Sequence, residues 1–450
     1  MESALREQMM NQGQGARMPV DATNMTDDAI RAAVRDILTS NTHEGYSEEF
    51  QTPYCYIQPS PSTYPFQYFW DTCLHVFILT ALGEHDLAKR NMRSLFAMQA
   101  DDGYVGHMLF WNRVRPAKWV DIFQSRPGRN LFRPHMSALI QPPMVAQTVQ
   151  RIHTGTGDMA FLAEMVPKLK RYFDWLAAHR DLDGDGLISI ITTFESGMDW
   201  KPAFDQVVGF PRGVANRRLF WRVVANDARN FVHRYDIETL GRKRYFLVKE
   251  VAFNTIYAQN LAALGELCDA LGDDDAQRFR DLADRVTASM VEQMYDDDAQ
   301  AFLDIDAGRG ERIPVFTPTI FFPLVIRNLP EHITDALIDR HLAPGTAFDT
   351  PFPIPSVATT DPSFNPHESE YLWRGPTWIF YNWFVYQCLF YRGYRDEASR
   401  LEDTMRSLIQ QSGFREYYNP FSGKGLGAEN FTWSGLVVDM LNLTEETLGR

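Results

Sequence analysis

Apolar positions along this chain recur mostly with a helical period. "TDDAIRAAVRDILTSN" opens on a cap-like Thr26 with early acids and carries an apolar stripe of Ile30, Ala33 and Ile37. Later segments come in pairs. "FWDTCLHVFILTAL" precedes "EHDLAKRNMRSLFAMQ", and "HMSALIQPPMVAQTVQRIHTGT" precedes "DMAFLAEMVPKLKRYFDWLAAH". "EVAFNTIYAQNLAALGELCDAL" is followed by "DDAQRFRDLADRVTASMVEQMY", and "PTWIFYNWFVYQCLFYRG" by "RDEASRLEDTMRSLIQQS"; the chain closes with "TWSGLVVDMLNL". In several pairs the first member is apolar or aromatic all round and the second is amphipathic. The first kind belongs inside a protein and the second faces water on one side. Roughly eleven or twelve such segments predict an all-α fold, an (α/α)6 barrel of six helical hairpins with inner and outer rings. Strand signals are short and isolated ("GLISII", "AFLDID", "IPVFTP"), too few for a parallel α/β fold.

The polar first 25 residues predict a flexible tail, and residues 26–450 a single domain. From Arg212 to Arg244, eight Arg and one Lys face only Asp227, Asp236 and Glu238. This basic stretch predicts a cap inserted over residues 200–245, able to meet an anionic substrate. The same pattern also suits an amphipathic helix with a solvated basic face.

The whole chain has the opposite sign, 44 basic against 58 acidic residues for a net charge of −14. That argues against nucleic acid or an anionic membrane as the main partner. Hydrophobic residues at 45% allow a large core, and aromatics at 13% suit both a core and flat platforms for sugars. Cys55, Cys73, Cys268 and Cys388 show no metal-ligand spacing and read as free thiols in a reducing compartment. No apolar run approaches a membrane span, and "MESALREQMMNQGQGARMPV" lacks the apolar region of a signal peptide. A cytoplasmic protein is the expectation.

Five stretches carry candidate chemistry. "DLDGDGLIS" begins like a calcium loop with Asp181, Asp183 and Asp185, but the twelfth loop position is Thr192 rather than a bidentate Glu. An Asp-Gly turn after a helix fits better, and no metal is expected. "FESGMDWKPAFD" sets Glu195, Asp199 and Asp205 among apolar and aromatic groups. These are either solvated loop acids, or one of them sits in a dry pocket that raises its pKa for proton transfer. "YPFQYFWDTC" places Trp70 and Asp71 at a helix entry, where Asp71 is an N-cap or a carboxylate accepting from sugar hydroxyls. "YLWRGPTWIFYNW" holds Trp373, Arg374, a Gly-Pro turn and Trp378, a tight loop over core aromatics or a sugar pocket. "FREYYNPFSGKGLGAENFTWSG" sets Glu416 in an aromatic run; its glycines lack the strand and helix of a dinucleotide fingerprint.

Together and in this order, "YPFQYFWD", "FESGMD", "YLWRGPTW" and "FREYYNPFSGKGLGAENFTW" resemble glycoside hydrolase family 63 and its small bacterial members, the mannosylglycerate and glucosylglycerate hydrolases. The resemblance runs from Tyr64 to Trp433 and implies an (α/α)6 barrel that hydrolyses a small α-glucoside or α-mannoside with inversion, without a cofactor. It implies Asp199 as general acid and Glu416 as general base. It implies Tyr64, Phe66, Gln67, Trp70, Asp71, Glu195, Gly197, Trp373, Arg374, Gly375, Trp378 and Trp433 as substrate-binding residues, with Trp70 and Asp71 holding the sugar in the −1 subsite. Glu195 is expected to support the acid from a turn, and Asp205, outside that set, to be a loop acid. Where such proteins often continue "ESGMD" with Asn-Ser, this chain has Trp200-Lys201, and the Tyr before "WRGP" is Leu372. An inverting enzyme needs one protonated and one ionised carboxyl, about 6.5–9.5 Å apart, with a water between base and sugar.

Two other readings compete. A sugar epimerase on the same kind of barrel would use paired histidines, and His75, His107, His135 and His367 form no local motif. A silent carbohydrate-binding protein would need neither Asp199 nor Glu416.

Overall fold

The computed structural model describes residues 25–61, 63–111 and 135–442. The expected tail, save Met25, lies outside the described residues. Helix makes up about half of the chain. The first helix, α1 (Asp27–Ser40), starts where the pattern places it, with the Thr26 hydroxyl accepting from the Ala29 N–H at 3.3 Å. The paired segments then form α2 (Phe69–Ala81) and α3 (His85–Ala97), and α4 (Val145–Thr156) and α5 (Met159–Arg180). The basic stretch supplies α6 (Arg217–Val232) and α7 (Ile237–Lys243). Next come α8 (Val251–Leu271), α9 (Ala276–Gln293) and α10 (Glu331–His341), then α11 (Ile379–Arg392), α12 (Arg395–Ser412) and α13 (Val437–Leu441).

The inner and outer roles follow the hydrophobic pattern. On α2 every residue from Phe69 to Leu79 is buried, whereas α12 buries only Ala398, Leu401, Met405, Leu408 and Ile409 along one stripe. The apolar members pack on one another: α2 on α4, α4 on α8, α8 on the 3-10 stretch Pro318–Val325, and that stretch on α11. The 3-10 turn Thr432–Leu436 contacts both α11 and α2.

Three local readings are corrected. The helix expected from His135 starts only at Val145, because Pro142 and Pro143 cannot continue a helical ladder. "IPVFTP" forms no strand and leads into the Pro318–Val325 stretch, where Pro323 removes an N–H and keeps the turn tight. Short antiparallel strands are also more numerous than the pattern suggested. β1 (Thr42–Ser47) and β2 (Thr52–Ile57) form a hairpin, and β3 (Gln67–Tyr68) pairs with β4 (Met108–Leu109). β5 (Ser189–Ile190) and β6 (Val248–Lys249) belong to a four-stranded sheet, completed after the small β7 (Tyr295–Asp296) and β8 (Ala301–Phe302) pair by β9 (Ile305–Asp306) and β10 (Glu311–Arg312). The last hairpin, β11 (Arg415–Tyr418) with β12 (Gly425–Glu429), carries Glu416. No described helix is long and apolar enough to cross a membrane.

Candidate active site

The first turn of α2 brings Asp71 into the molecule. Its Oδ1 accepts the indole N–H of Trp433 at 2.9 Å, and the backbone N–H of Trp70 beside it donates to Gln141 Oε1 at 3.1 Å. Asp71 is 5% exposed, and burial pushes its carboxyl up to about 7. The Trp433 N–H works against that rise and the charge of Asp199 adds to it, so Asp199 lies within electrostatic reach of Asp71. A carboxyl near neutrality can donate or accept a hydrogen bond from the same position.

Asp199 follows a 3-10 turn (Thr193–Ser196) and Gly197, whose φ is +71°. A Cβ at Gly197 would stand 2.4 Å from the Trp70 ring, so only glycine lets this loop lie against that indole. Asp199 itself is half-buried. The residues around it are locked. Met198 is fully buried, and its sulfur accepts from the Tyr381 hydroxyl at 2.9 Å. Lys201 is buried with its ammonium 2.5 Å from Glu250 Oε1 and 2.7 Å from Asp304 Oδ2. Burial opposes its charge, but the two acids together hold its pKa up.

Glu416 projects from β11 and is 6% exposed. Its Oε1 accepts the Tyr64 hydroxyl at 2.9 Å, and its Oε2 accepts the Ala428 N–H from β12 at 3.0 Å. Burial pushes the Tyr64 phenol far up, helped by the charges of both Glu416 and Asp199. Tyr64 therefore sits within reach of both acids.

The aromatic residues gather as one wall. Trp373 and Trp378 stack at 3.8 Å and 10°, Trp378 and Trp433 are 6.1 Å apart, and Trp433 meets Trp70 edge-on at 5.1 Å. Trp373 holds φ +68°, a conformation that costs about 1–2 kcal/mol for a non-glycine residue. Next to it, Arg374 and Gly375 are pinned. The Arg374 guanidinium forks onto both oxygens of Asp205, with Nη1 2.9 Å from Oδ2. A Cβ on Gly375 would lie 2.5 Å from the Asn365 carbonyl oxygen.

Asp205 does lie in a loop, in the turn after Pro202–Phe204, but it is buried rather than solvated, 1% exposed, with burial raising it to about 6 against the pull of Arg374. Nothing in the sequence pairs the two, since they stand 169 residues apart.

Three expected substrate-binding residues point into protein. Glu195 is fully buried: Arg180 grips it twice, at 2.6 and 2.8 Å, and the Ile140 and Ile191 N–H groups donate at 3.0 and 2.9 Å. Gln67 accepts the Trp111 indole at 2.7 Å and donates to Thr72 and the Asn91 carbonyl. Phe66 packs edge-on against Phe110 at 5.0 Å.

The basic stretch is partly spent within the protein. Asp227 of α6 accepts the Thr192 hydroxyl at 2.6 Å, and Asn226 and Asn230 both donate to the Ile191 carbonyl. Arg244 bonds Asp183 at 2.6 Å, and Arg212 bonds Asp361 at 2.5 Å. Arg217, Arg218 and Arg222 stay exposed on α6, whose Phe220 lies over Trp200 at 6.3 Å. The Arg217 charge reaches Tyr371, which meets Trp200 edge-on at 5.3 Å.

The remaining motifs are structural. Asp183 and Asp185 of the "DLDGDG" turn both pair with Lys249 of β6. His75 bonds Thr432 at 2.6 Å and His107 bonds Ser137 at 2.5 Å, and burial drives both to about 3, where they stay neutral. His135 pairs with Glu49 at 2.8 Å, and His367 is exposed. The four cysteines are unpaired and buried.

A family model described as the mannosylglycerate hydrolase MGH1-like glycoside hydrolase domain matches residues 64–434. The mannosylglycerate hydrolase of Rubrobacter radiotolerans is 26% identical over 414 residues, spanning 86% of this chain and 93% of its own length. The glucosylglycerate hydrolase of Mycolicibacterium hassiacum is 28% identical over 427 residues, spanning 84% and 92%. A crystal structure of the family 63 mannosylglycerate hydrolase from Thermus thermophilus, in complex with Tris and D-glycerate, is similar at TM-score 0.79 and 26% identity, over 92% of this chain and 100% of that one. This chain is a glycoside hydrolase and belongs to the mannosylglycerate hydrolase MGH1-like members of family 63.

Proposed function

We propose that this chain is an inverting α-glycosidase acting on a small α-mannoside or α-glucoside whose leaving group carries a carboxylate, such as mannosylglycerate or glucosylglycerate. The observation that carries this reading is Tyr64, which bonds Glu416 and also feels the charge of Asp199, so it lies close to both acids. Asp199, half-buried beside Trp200, protonates the leaving oxygen. Glu416, held by two donors, keeps its charge aimed and draws a proton from a water. Asp71 and Trp70 hold the sugar, and Trp373, Trp378 and Trp433 wall the subsite. Glu195, Gln67 and Phe66 position these groups from behind. Arg374 and Gly375 serve by shaping the Trp373 turn.

The apolar elements pack in an order that supports a closed ring: α2, α4, α8, Pro318–Val325, α11 and Thr432–Leu436. That is six inner elements of an (α/α)6 barrel in one domain, with residues 200–245 as the cap. The exposed arginines of α6, near Trp200, support an anionic leaving group. The test is hydrolysis of mannosylglycerate, glucosylglycerate, kojibiose and neutral methyl α-glycosides by wild type, Asp199→Asn and Glu416→Gln. Turnover of a carboxylate-bearing glycoside, lost about 10³-fold or more in both variants, is expected. Undiminished turnover in either variant contradicts the assignment.

A further inference from the structure

A cavity of about 400 Å³ opens between α4, α8, α9 and α11, away from the acids. Its lining includes Phe77 of α2, Thr154 near the end of α4, and Gln387 and Tyr391 in the last turns of α11. The candidate active site uses the other ends of these helices: Asp71 in the first turn of α2 and Trp378 at the cap of α11. From Trp378 to Gln387 along α11 is about 14 Å at 1.5 Å per residue. Along α2 and α11 the cavity is therefore displaced from the acids toward the later turns, and none of the acids of the candidate active site lines it.

Its chemistry differs from that of a packing defect. Ala258, Ala262 and Ala263 on α8 open the space, and the Phe77 ring supplies an apolar wall. Amides of Gln147, Gln259 and Gln387 also line it. The Gln259 side-chain oxygen is shielded from solvent and has no hydrogen-bond partner among the described residues. A buried acceptor without a donor is unfavourable, and a ligand hydroxyl would satisfy it. The cations at the rim are neutralised: Arg327 lies 3.2 Å from Glu266, Arg151 pairs with Asp439, and Arg280 with Asp269. That arrangement disfavours an anion. The volume falls within the roughly 300–1,000 Å³ of small-molecule sites.

We propose that this cavity is a second binding site for a neutral polyol of monosaccharide to disaccharide size. Its hydroxyls would bond the Gln259, Gln147 and Gln387 amides, and its C–H face would lie on Phe77. The test is a titration of Asp199→Asn protein, which keeps both sites but blocks turnover, with glucose, glycerol and trehalose, read by NMR and by crystal soaking. Two classes of site per chain are expected for at least one polyol. Adding Ala262→Phe should remove one class and leave the other, and in otherwise wild-type protein should leave hydrolysis within about twofold. Gln259→Leu, which keeps the volume and removes the acceptor, should weaken the same class about fivefold or more, and it decides the matter if Ala262→Phe fails to fold. A single class untouched by either variant, or no polyol in the cavity, overturns the proposal whatever the glycosidase assays give.

Discussion

The Tyr64 hydroxyl donates a 2.9 Å hydrogen bond to Oε1 of Glu416 across 352 residues of sequence. It joins the loop before α2 to the final hairpin and fixes one lone pair of the carboxylate. Hydrogen bonds to charged groups contribute about 1.5–3 kcal/mol, which corresponds to roughly 10- to 150-fold. Tyr64→Phe should therefore lower kcat by about 10- to 100-fold and change KM little, measured by steady-state kinetics on the best substrate. An unchanged kcat would show that Glu416 needs no such support.

Gly427 holds the other side of Glu416. Its φ is +67°, and a Cβ there would stand 2.7 Å from Glu416 Oε2 and 2.6 Å from the Tyr417 ring. Gly427→Ala should cost about 1–2 kcal/mol from backbone strain and move the carboxylate. Thermal unfolding should show a Tm lower by a few degrees, and kcat should fall at least tenfold in the folded enzyme.

Asp71 couples burial to pH. Its pKa rises from an ordinary 3.8 to about 7 on folding, so the folded state binds more protons than the unfolded one between those values. The stability this group contributes is full below about pH 4 and is lost as pH rises through 7. Asp71→Asn keeps the shape without the titration. The Tm of the variant relative to wild type should climb between roughly pH 4.5 and pH 7.5, a window that spans the shift. A flat difference would mean that Asp71 is ionised on both sides of folding.

Glu195 and Arg180 form a fully buried pair, each 0% exposed. Removing one partner of such a pair costs about 3–5 kcal/mol because the other charge is stranded. Glu195→Gln should lower the denaturant midpoint strongly while KM of the folded fraction stays near wild type. A large rise in KM with little loss of stability would instead make Glu195 a substrate contact.

Much of this was legible in the chain. The apolar–amphipathic pairing marked α2 with α3 and α11 with α12, because a helix buried all round leaves no polar face in its sequence. Asp71, beside Trp70, and the "ESGMD" acid stood out as charged groups inside apolar runs. What stayed hidden is what sequence distance conceals. Arg180 gives no sign of meeting Glu195, and Arg374 none of meeting Asp205. The β11–β12 hairpin that aims Glu416 was masked by a run of aromatics that suits a loop as well as a strand, and the 3-10 stretch Pro318–Val325 follows the "IPVFTP" strand signal with nothing in the pattern to announce it.

The cap proposed over residues 200–245 bears on selectivity. Arg217 is exposed and its charge reaches Tyr371 beside Trp200. Arg217→Ala should raise KM about tenfold for a carboxylate-bearing glycoside and leave a neutral methyl α-glycoside unaffected. Equal effects on both would remove α6 from leaving-group recognition.

The stereochemistry of the released sugar bears most directly on the pairing of Asp199 with Glu416. Proton NMR of the first minutes of hydrolysis, on the α-mannoside or α-glucoside that wild type turns over best, reads the anomer before mutarotation. The β-anomer is expected first from wild type, with no burst of either anomer from Asp199→Asn or Glu416→Gln. Initial release of the α-anomer would mean retention, a carboxylate nucleophile in place of a general base, and a different division of labour between these acids.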